Sequence, residues 1–349
     1  MNEPAAGRTE LADSYSICRI INGGWQLSEG HGSSAQDVEG VINDLDELAR
    51  KGFTTFDCAD IYTGVEDLIG RLRERVAGRG GELQVHTKFV PDRSILGKID
   101  RNYVSTIIDR SLRRLGAERL DLVQFHWWDY DVPGYVQTAG WLADLQKQGK
   151  IRHLGVTNFD VTRLRKILAG GVPIVSNQVQ YSLLDRRPEH DMISLCRENN
   201  ILLLCYGSLA GGFLSHQYLG SPPKNGALKN RSLVKYRLII DEYGGWDEYQ
   251  GLLSAARQIA DKHGVSIPNV AMRYVLEKAS VGAVIVGAPS ARHADDNLRT
   301  FGLSLDDEDR NILDGMTGKA EGVPGEVFGL ERAVGGPHRR IMKTDLNRT

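Results

Sequence analysis

The sequence predicts an α/β fold, a (β/α)8 TIM barrel with long active-face loops and a C-terminal tail. Eight short apolar runs alternate with amphipathic helical patterns along the 349 residues. The runs are nearly continuous in Val, Ile, Leu and Phe, which is typical of parallel strands buried on both faces. A doubly wound sheet also alternates in this way, but the first run is followed by Gly23-Gly24-Trp25-Gln26 and not by a GxGxxG turn. We therefore favour the barrel.

The strand predictions depend on the length and composition of the apolar runs. Each run is short, as a strand is, and is rich in β-branched or large apolar residues. The predicted strands are 17–22, 53–57, 83–88, 120–126, 151–156, 174–179, 201–206 and 281–286.

Helical patterns fill the intervals between the strands. In 37–50, apolar residues recur at spacings of three and four, which is the period of an amphipathic helix. The segment 102–115 repeats this pattern and ends at Gly116, a natural helix stop. Pro268 fits the first turn of a later helix. The remaining helices are predicted at 136–148, 161–169, 188–199, 249–263 and 268–277.

Three stretches fall outside this repeat. Residues 1–16 form an N-terminal extension, residues 17–317 form the barrel domain, and residues 318–349 form a tail rich in Gly and basic residues. Residues 216–247 form a long polar insertion after the seventh strand. Insertions at the active face of a barrel usually shape or cover the pocket. The tail either covers the pocket as well or is disordered.

Composition is ordinary for a globular protein. Hydrophobic residues make up 41% of the chain and charged residues 25%, and the net charge is −2 with both signs interspersed. This balance argues against nucleic acid or a membrane as the partner. The oligomeric state cannot be inferred. The four cysteines lack CxxC spacing, so we expect buried free thiols and a cytoplasmic location; they are Cys18, Cys58, Cys196 and Cys205.

Four polar side chains stand at or just after the ends of predicted strands. Asp57 ends the second strand and Tyr62 follows it in the next loop. Lys88 ends the third strand, and His126 ends the fourth. The active sites of such barrels lie at the C-terminal ends of the strands and in the loops that follow. The sequence therefore predicts that these four residues share one face.

Together, the four side chains suit proton donation. A free tyrosine has a pKa of about 10, and a nearby ammonium group lowers that value. Asp57 would keep Lys88 charged and positioned, while His126 would orient a carbonyl oxygen or share the proton transfer. Each residue alone also fits a plain structural role: a rim aromatic, a solvated strand end, a core histidine or a turn cap. Their joint placement favours the functional interpretation.

Other chemistries lack their sequence patterns. The chain contains no HExxH motif and no Cys/His cluster with zinc-binding spacing, so no metal site is predicted. It also contains no GxSxG elbow and no GxxxxGK[ST] phosphate loop.

Five blocks of this sequence resemble the aldo-keto reductases, from about residue 17 to about residue 303. One block carries a Thr at 157 where the family usually has Ser. The blocks are 56–62, 120–126, 149–159, 177–181 and 206–214. The resemblance implies a barrel that binds a nicotinamide cofactor without a Rossmann fold.

The resemblance also implies an activity: NAD(P)H-dependent reduction of an aldehyde or ketone to an alcohol. Tyr62 would be the general acid, and Asp57, Lys88 and His126 would complete a catalytic tetrad. A histidine at 126 and not a glutamate favours reduction of carbonyls over that of carbon–carbon double bonds. Trp25 and Trp127 would wall the substrate pocket, while Trp128 is equally consistent with the core.

The cofactor residues follow from the same resemblance. Asn158 and Gln178 match positions that hold the nicotinamide carboxamide, and Tyr206 matches the ring that stacks on the nicotinamide. The loop after strand seven matches the pyrophosphate site, where backbone N–H groups favour anions. Its matching residues are Gly207, Ser208, Leu209 and Gly211.

The adenosine end matches less closely. The segment 287–290 resembles part of this site, with Gly287 first, and Asp296 and Asn297 resemble another part. His293, next to Arg292, stands where many members place a basic or amide residue against the 2′-phosphate. Charge could instead come from the insertion, through Lys229, Arg231, Lys235 and Arg237. We expect NADPH as the cofactor, with NADH as the alternative.

Two alternative functions stay open. The same site could oxidise an aldose or another alcohol with NAD(P)+. The chain could also be a cofactor-binding regulatory subunit with little turnover, although its complete tetrad argues against this.

Overall fold

The computed structural model of the protein describes residues 7–28, 37–223, 228, 230–287 and 290–347. Three residues considered for the cofactor site lie outside this part of the chain: Lys229, Ala288 and Pro289.

A closed barrel of eight parallel strands forms the centre of the molecule, so the predicted (β/α)8 barrel is confirmed. The first barrel strand pairs with the last, with Ile20 opposite Val284. The barrel strands are β3 (Ile20–Gly23), β4 (Thr55–Asp57), β5 (Gln84–Phe89), β6 (Leu120–Phe125), β7 (Ile151–Thr157), β8 (Ile174–Gln180), β9 (Leu202–Tyr206) and β10 (Val281–Gly287).

An antiparallel hairpin precedes the barrel and corrects the prediction of one strand at 17–22. The hairpin consists of β1 (Arg8–Ala12) and β2 (Tyr15–Cys18), and the barrel begins only at Ile20. Leu11, Tyr15 and Ile17 are buried in one apolar cluster with barrel residues. The interruption falls at Arg19, whose guanidinium donates to the carbonyl oxygens of Leu276 and Gly282. Two short strands therefore replace one continuous strand.

Helices surround the barrel. The buried face of the first helix contains Ile42, Leu45 and Leu48, as its apolar spacing predicts. The helices at Val65–Ala77, Ala294–Gly302 and Asp307–Lys319 were not predicted, and neither were those of the insertion and the tail. The helices up to α6 are α1 (Val38–Arg50), α2 (Val65–Ala77), α3 (Arg101–Arg114), α4 (Tyr135–Lys147), α5 (Val161–Ala169) and α6 (Met192–Glu198). Those from α8 to α11 are α8 (Trp246–His263), α9 (Ile267–Leu276), α10 (Ala294–Gly302) and α11 (Asp307–Lys319).

The insertion and the tail both contain helices. The helix α7 (Arg231–Tyr243) lies in the insertion, and its N-terminus is capped by the side chain of Asn230. The tail contains the short helices α12 (Gly329–Arg332) and α13 (Pro337–Arg340). Phe328 and Glu331 of the tail are buried, which shows that this segment packs on the rest of the molecule.

Two further expectations concern the cysteines and the membrane. The four cysteines are buried free thiols, as predicted. Within the described part of the chain, every helix is too short or too polar to span a bilayer.

Candidate active site

Asp57 and Lys88 form a buried ion pair at the C-terminal end of the barrel. The Lys88 ammonium lies 2.5 Å from an Asp57 carboxylate oxygen, and each side chain is only 5% exposed. Lys88 also donates to the Cys58 carbonyl oxygen at 2.8 Å. Burial disfavours the charged lysine, but Asp57 and Tyr62 outweigh this effect, so the pKa of Lys88 is raised. Lys88 therefore stays protonated at neutral pH.

Two glutamine amides complete the environment of the Asp57 carboxylate. Gln124 donates to its other oxygen at 2.9 Å, and Gln178 donates to the same oxygen at 2.7 Å. The Gln178 amide nitrogen also lies 2.9 Å from the Gln124 side-chain oxygen. A buried carboxylate needs such donors to remain charged. Gln124 was not among the predicted site residues, although a polar residue within the apolar run 120–126 was the available signal.

Tyr62 lies beside this network. The Lys88 ammonium is 5.1 Å from the centre of the Tyr62 ring, and the Trp25 ring is 5.0 Å away on an edge-on approach. We expected Lys88 to lower the pKa of Tyr62. Burial raises that pKa by more than the Lys88 charge lowers it, so the net shift is upward. Tyr62 thus holds its proton at neutral pH.

His126 is buried and neutral. Its Nδ1 lies 3.0 Å from the Thr157 carbonyl oxygen, so Nδ1 carries the proton and donates it there. Nε2 then has a free lone pair, and it has no partner among the described residues. Burial and the nearby Arg332 charge lower the pKa of His126 to about 3. In this tautomer His126 accepts a hydrogen bond, so it does not donate one to a carbonyl oxygen as our sequence analysis had allowed.

Buried neutral histidines predict an acid-sensitive stability. Burial lowers the pKa of His86 to about 4, whereas an unfolded histidine titrates near pH 6.5. Between these values the unfolded chain binds protons that the folded chain does not, so stability falls as the pH falls. His86 alone should cost about 2 kcal/mol of unfolding free energy between pH 7 and pH 5. Urea unfolding of wild type and His86→Leu at pH 7 and pH 5 tests this prediction. The unfolding free energy lost between the two pH values should be about 2 kcal/mol smaller in the variant than in wild type. An equal loss in both proteins would contradict the assignment.

The tail brings a cation to the mouth of the barrel. Arg332 donates to the carbonyl oxygens of Trp127 at 2.8 Å and Asn158 at 3.0 Å. Its guanidinium lies 4.0 Å from the Tyr130 ring centre and 5.0 Å from that of Phe328. Phe328 in turn packs edge-on against His126, with 5.5 Å between ring centres. The tail therefore forms part of the wall around His126.

A buried charge network joins the tail to the insertion and the barrel. Glu331 lies 3.3 Å from Arg187 and 3.5 Å from Lys235 of α7. Arg187 also forms an ion pair with Asp185 at 2.7 Å. Burial works against the Glu331 carboxylate, yet Lys235 and Arg187 lower its pKa to about 2. The Lys235 ammonium also lies 4.8 Å from the ring centre of Tyr206.

Comparison with known proteins identifies the family. The aldo/keto reductase family model matches residues 19–317. The chain belongs to this family. It is therefore an oxidoreductase, and the expectation drawn from the sequence blocks is confirmed.

Individual relatives agree with this assignment. The chain is 25% identical to the NADH-specific methylglyoxal reductase of Escherichia coli, across 90% of this chain and 97% of that protein. It is 32% identical to the chloroplastic pyridoxal reductase of Arabidopsis thaliana, across 83% of this chain and 80% of that protein. The structure of the glycerol dehydrogenase from Gluconobacter oxydans superposes with a TM-score of 0.76 at 24% identity. That structure covers 93% of this chain and 98% of its own, and at this identity it supports the fold.

In this aldo/keto reductase, the structure brings together three of the residues expected at the nicotinamide. The Tyr206 hydroxyl donates to the Asn158 side-chain oxygen at 2.8 Å. The Asn158 backbone N–H donates to the Gln178 carbonyl oxygen at 2.8 Å, and Asn158 has a left-handed φ of 62°. Such a φ is rare outside glycine and is often found at functional sites. Gln178 links this group to the catalytic network, because its side-chain amide donates to the Asp57 carboxylate.

The expected pyrophosphate loop lies directly beneath α7. Gly207 and Gly211 have left-handed φ values of 76° and 64°, which glycine adopts without steric cost. A Cβ at either position would approach the Tyr236 ring or hydroxyl to 2.7 Å. Ser208 is buried, and its hydroxyl has no partner within the described residues. Leu209 is partly exposed in the same turn.

The expected adenosine residues lie further out. Arg292 donates to His293 at 2.9 Å, and both side chains are exposed at the start of α10. Asp296 accepts from the Ser266 hydroxyl at 2.7 Å, so it supports the N-terminus of α9. Asn297 is partly exposed on α10. Gly287 packs closely against the side chain of Gln26. A Cβ atom at position 287 would lie only 2.7 Å from the Gln26 side-chain oxygen.

The two tryptophans that were expected to line the substrate pocket lie in different environments. Trp25 adjoins Tyr62, and its place in the pocket wall stays a prediction. Trp127 is fully buried, and its indole N–H donates to the carbonyl oxygens of Asp129 and Val132. The Trp127 ring packs in the core, because its apolar surface is covered by Phe125 and Tyr135. Trp128, for which the sequence left the pocket wall and the core equally open, lies with its ring centre 4.4 Å from that of His126.

Proposed function

We propose that this aldo/keto reductase reduces an aldehyde or ketone to an alcohol, with NADPH as hydride donor and Tyr62 as general acid. One observation carries the proposal: the Tyr62 phenol lies beside the buried Lys88–Asp57 pair. As the Tyr62 proton moves to the substrate oxygen, the Lys88 ammonium stabilises the phenolate that remains. Gln124 and Gln178 hold Asp57 in place for this purpose.

His126 has a different part in the proposed reaction. Its free Nε2 accepts a hydrogen bond from the hydroxyl group of the alcohol once Tyr62 has transferred its proton to the substrate oxygen. This contact orients the alcohol oxygen in the site. It serves alcohol oxidation equally well, since the reverse reaction passes through the same transition state. Oxidation of an aldose or other alcohol is therefore the second candidate.

The residues around Tyr206 fit a nicotinamide cofactor. When bound, this cofactor supplies the hydride to the carbonyl carbon. Asn158 and Gln178 would hold the carboxamide, and Tyr206 would pack on the ring. The unpartnered Ser208 hydroxyl lies in a glycine-containing turn, which suits a phosphate group. Lys235 already covers one face of Tyr206, so stacking there requires the opposite face or a displaced ammonium.

NADPH is the proposed cofactor and NADH the alternative. Arg292 and His293 are both exposed beside the expected adenosine site, where a cation could meet a 2′-phosphate. The Escherichia coli relative named as NADH-specific supports the alternative.

The experiment follows absorbance of the reduced nicotinamide with purified protein and a panel of aldehydes, ketones and quinones. NADPH and NADH are tested separately, and NADP+ and NAD+ are tested with aldoses. Consumption of NADPH with a carbonyl supports the proposal. Turnover confined to sugar oxidation would favour the second candidate, and tight cofactor binding without turnover in either direction would favour a regulatory subunit.

Arg332 predicts a preference for carbonyl substrates that carry a negative charge. Its neighbour Glu331 forms ion pairs with Arg187 and Lys235, so the Arg332 charge remains available near His126. A charge-assisted hydrogen bond contributes about 1.5–3 kcal/mol. We expect 4-carboxybenzaldehyde to have a lower KM than benzaldehyde, and Arg332→Met to raise only the first KM, by about tenfold or more. An equal effect on both aldehydes would assign Arg332 to tail anchoring alone.

A further inference from the structure

Residues 344–347 of the tail are held against the loop after β5, close to the proposed catalytic residues. The backbone N–H groups of Leu346 and Asn347 both donate to one Asp92 carboxylate oxygen at 2.8 Å. The Arg93 N–H donates to the Thr344 carbonyl oxygen at 2.8 Å. Two hydrogen bonds to the Asp92 side chain and one between backbone groups therefore fix the segment Thr344–Asn347 against the loop after β5.

The Asn347 side chain joins two separate segments of the barrel face. Its amide nitrogen lies 3.1 Å from an Asp60 carboxylate oxygen and 2.5 Å from the Val90 carbonyl oxygen. The Val90 N–H in turn donates to both Asp60 oxygens at 3.1 and 3.2 Å. Asp60 precedes Tyr62 by two residues, and Val90 follows Lys88 by two. The amide thus bridges the segment that carries the phenol and the segment that carries the ammonium.

The Asp60 carboxylate depends on these donors. It is only 3% exposed, and Glu66 nearby is 1% exposed. Burial and the Glu66 charge raise the pKa of Asp60 to about 7, while Asn347 and the Val90 N–H act in the opposite direction. Arg114 donates to the Asp60 carbonyl oxygen at 3.3 Å, and Arg110 donates to the Asn347 side-chain oxygen. Asn347 is therefore the tail's contribution to a buried polar junction.

We propose that Asn347 is a positioning residue for the Tyr62–Lys88 pair. It touches neither the phenol nor the ammonium, but it sets the spacing of the two segments that hold them. Misplacement of a reacting group by about 1 Å can reduce a rate about 100-fold. The proposal rests on the proposed function, because it assigns Asn347 to the step in which Tyr62 gives up its proton.

The test compares Asn347→Leu, which has similar volume but no donor, with wild type. In a single turnover with bound NADPH, the variant should transfer hydride about 10- to 100-fold more slowly than wild type. This is the effect expected when a reacting group is displaced by up to about 1 Å. The dissociation constant for NADPH should change less than about twofold, and the primary isotope effect from deuterated NADPH should persist or grow. Arg340→Met serves as the control, since it removes a tail hydrogen bond to the Gly335 carbonyl oxygen. We expect this control to transfer hydride at the wild-type rate.

A double-mutant cycle with Asp60→Asn distinguishes a positioning effect that Asn347 exerts through Asp60 from a general loss of folded structure. If Asn347 acts through Asp60, the double variant should be no slower than the slower single variant. Additive losses, or a wild-type rate in Asn347→Leu, would overturn the proposal. If Asn347→Leu does not fold, Asn347→Ser replaces it in the same cycle. Failure of the proposed function would look different, because wild type itself would then not oxidise NADPH with a carbonyl.

Discussion

Replacing Tyr62 by Phe should reduce carbonyl turnover at least 100-fold and leave NADPH affinity within a few-fold of wild type. Removing a general acid typically costs 10²- to 10⁴-fold in rate. The phenyl ring keeps the contact with Trp25, so the pocket wall is preserved. The cofactor residues around Tyr206 are untouched. Steady-state kinetics and fluorescence titration with NADPH provide the two readings.

The matched control for this variant is Tyr274→Phe. It also removes one buried hydroxyl, which donates to Asp314 at 2.6 Å on the outer helices. This control should keep wild-type turnover. If Tyr62→Phe retained more than about a tenth of the wild-type rate, Tyr62 would not be the acid.

Replacing Lys88 by Met should impair both folding stability and turnover. The change leaves the Asp57 carboxylate buried and without its cation, and breaking a buried pair in this way costs about 3–5 kcal/mol. The phenolate left on Tyr62 would also lose its stabilising ammonium, so turnover should fall at least 100-fold. Urea unfolding and steady-state kinetics test the two effects.

The double variant Asp57→Asn with Lys88→Met separates these two effects. It removes both charges, so much of the lost unfolding free energy should return. Turnover should stay low, because the ammonium is still missing. Recovery of turnover together with stability would show that Lys88 has only a structural role.

Much of this site could be predicted from local sequence. Asp57 and Lys88 stand at or near the ends of short apolar runs, and a parallel barrel brings such ends to one face. That topological rule brings the two residues to one face although 30 residues separate them, whereas their 2.5 Å ion pair is a finding of the structure. The same rule places Tyr62 beside them, since its loop directly follows β4.

Other features depend on contacts that no local pattern records. Glu331 meets Lys235 across the mouth of the barrel, and each lies in a segment without a strand–helix repeat. The pairing of two distant charges leaves no periodicity in the sequence. The tautomer of His126 likewise depends on the carbonyl oxygen of Thr157 on the neighbouring strand. The upward pKa shift of Tyr62 depends on burial, which a list of neighbouring charges underestimates.

The most direct test of the central claim traces the hydride. NADPH carrying deuterium at both C4 positions is mixed with wild type and a carbonyl substrate, and the alcohol is examined by mass spectrometry. The account predicts one deuterium on the carbinol carbon in wild type and almost no labelled alcohol from Tyr62→Phe in the same time. Labelled alcohol formed at equal rates by both proteins, or NADPH oxidised without any labelled alcohol, would contradict it.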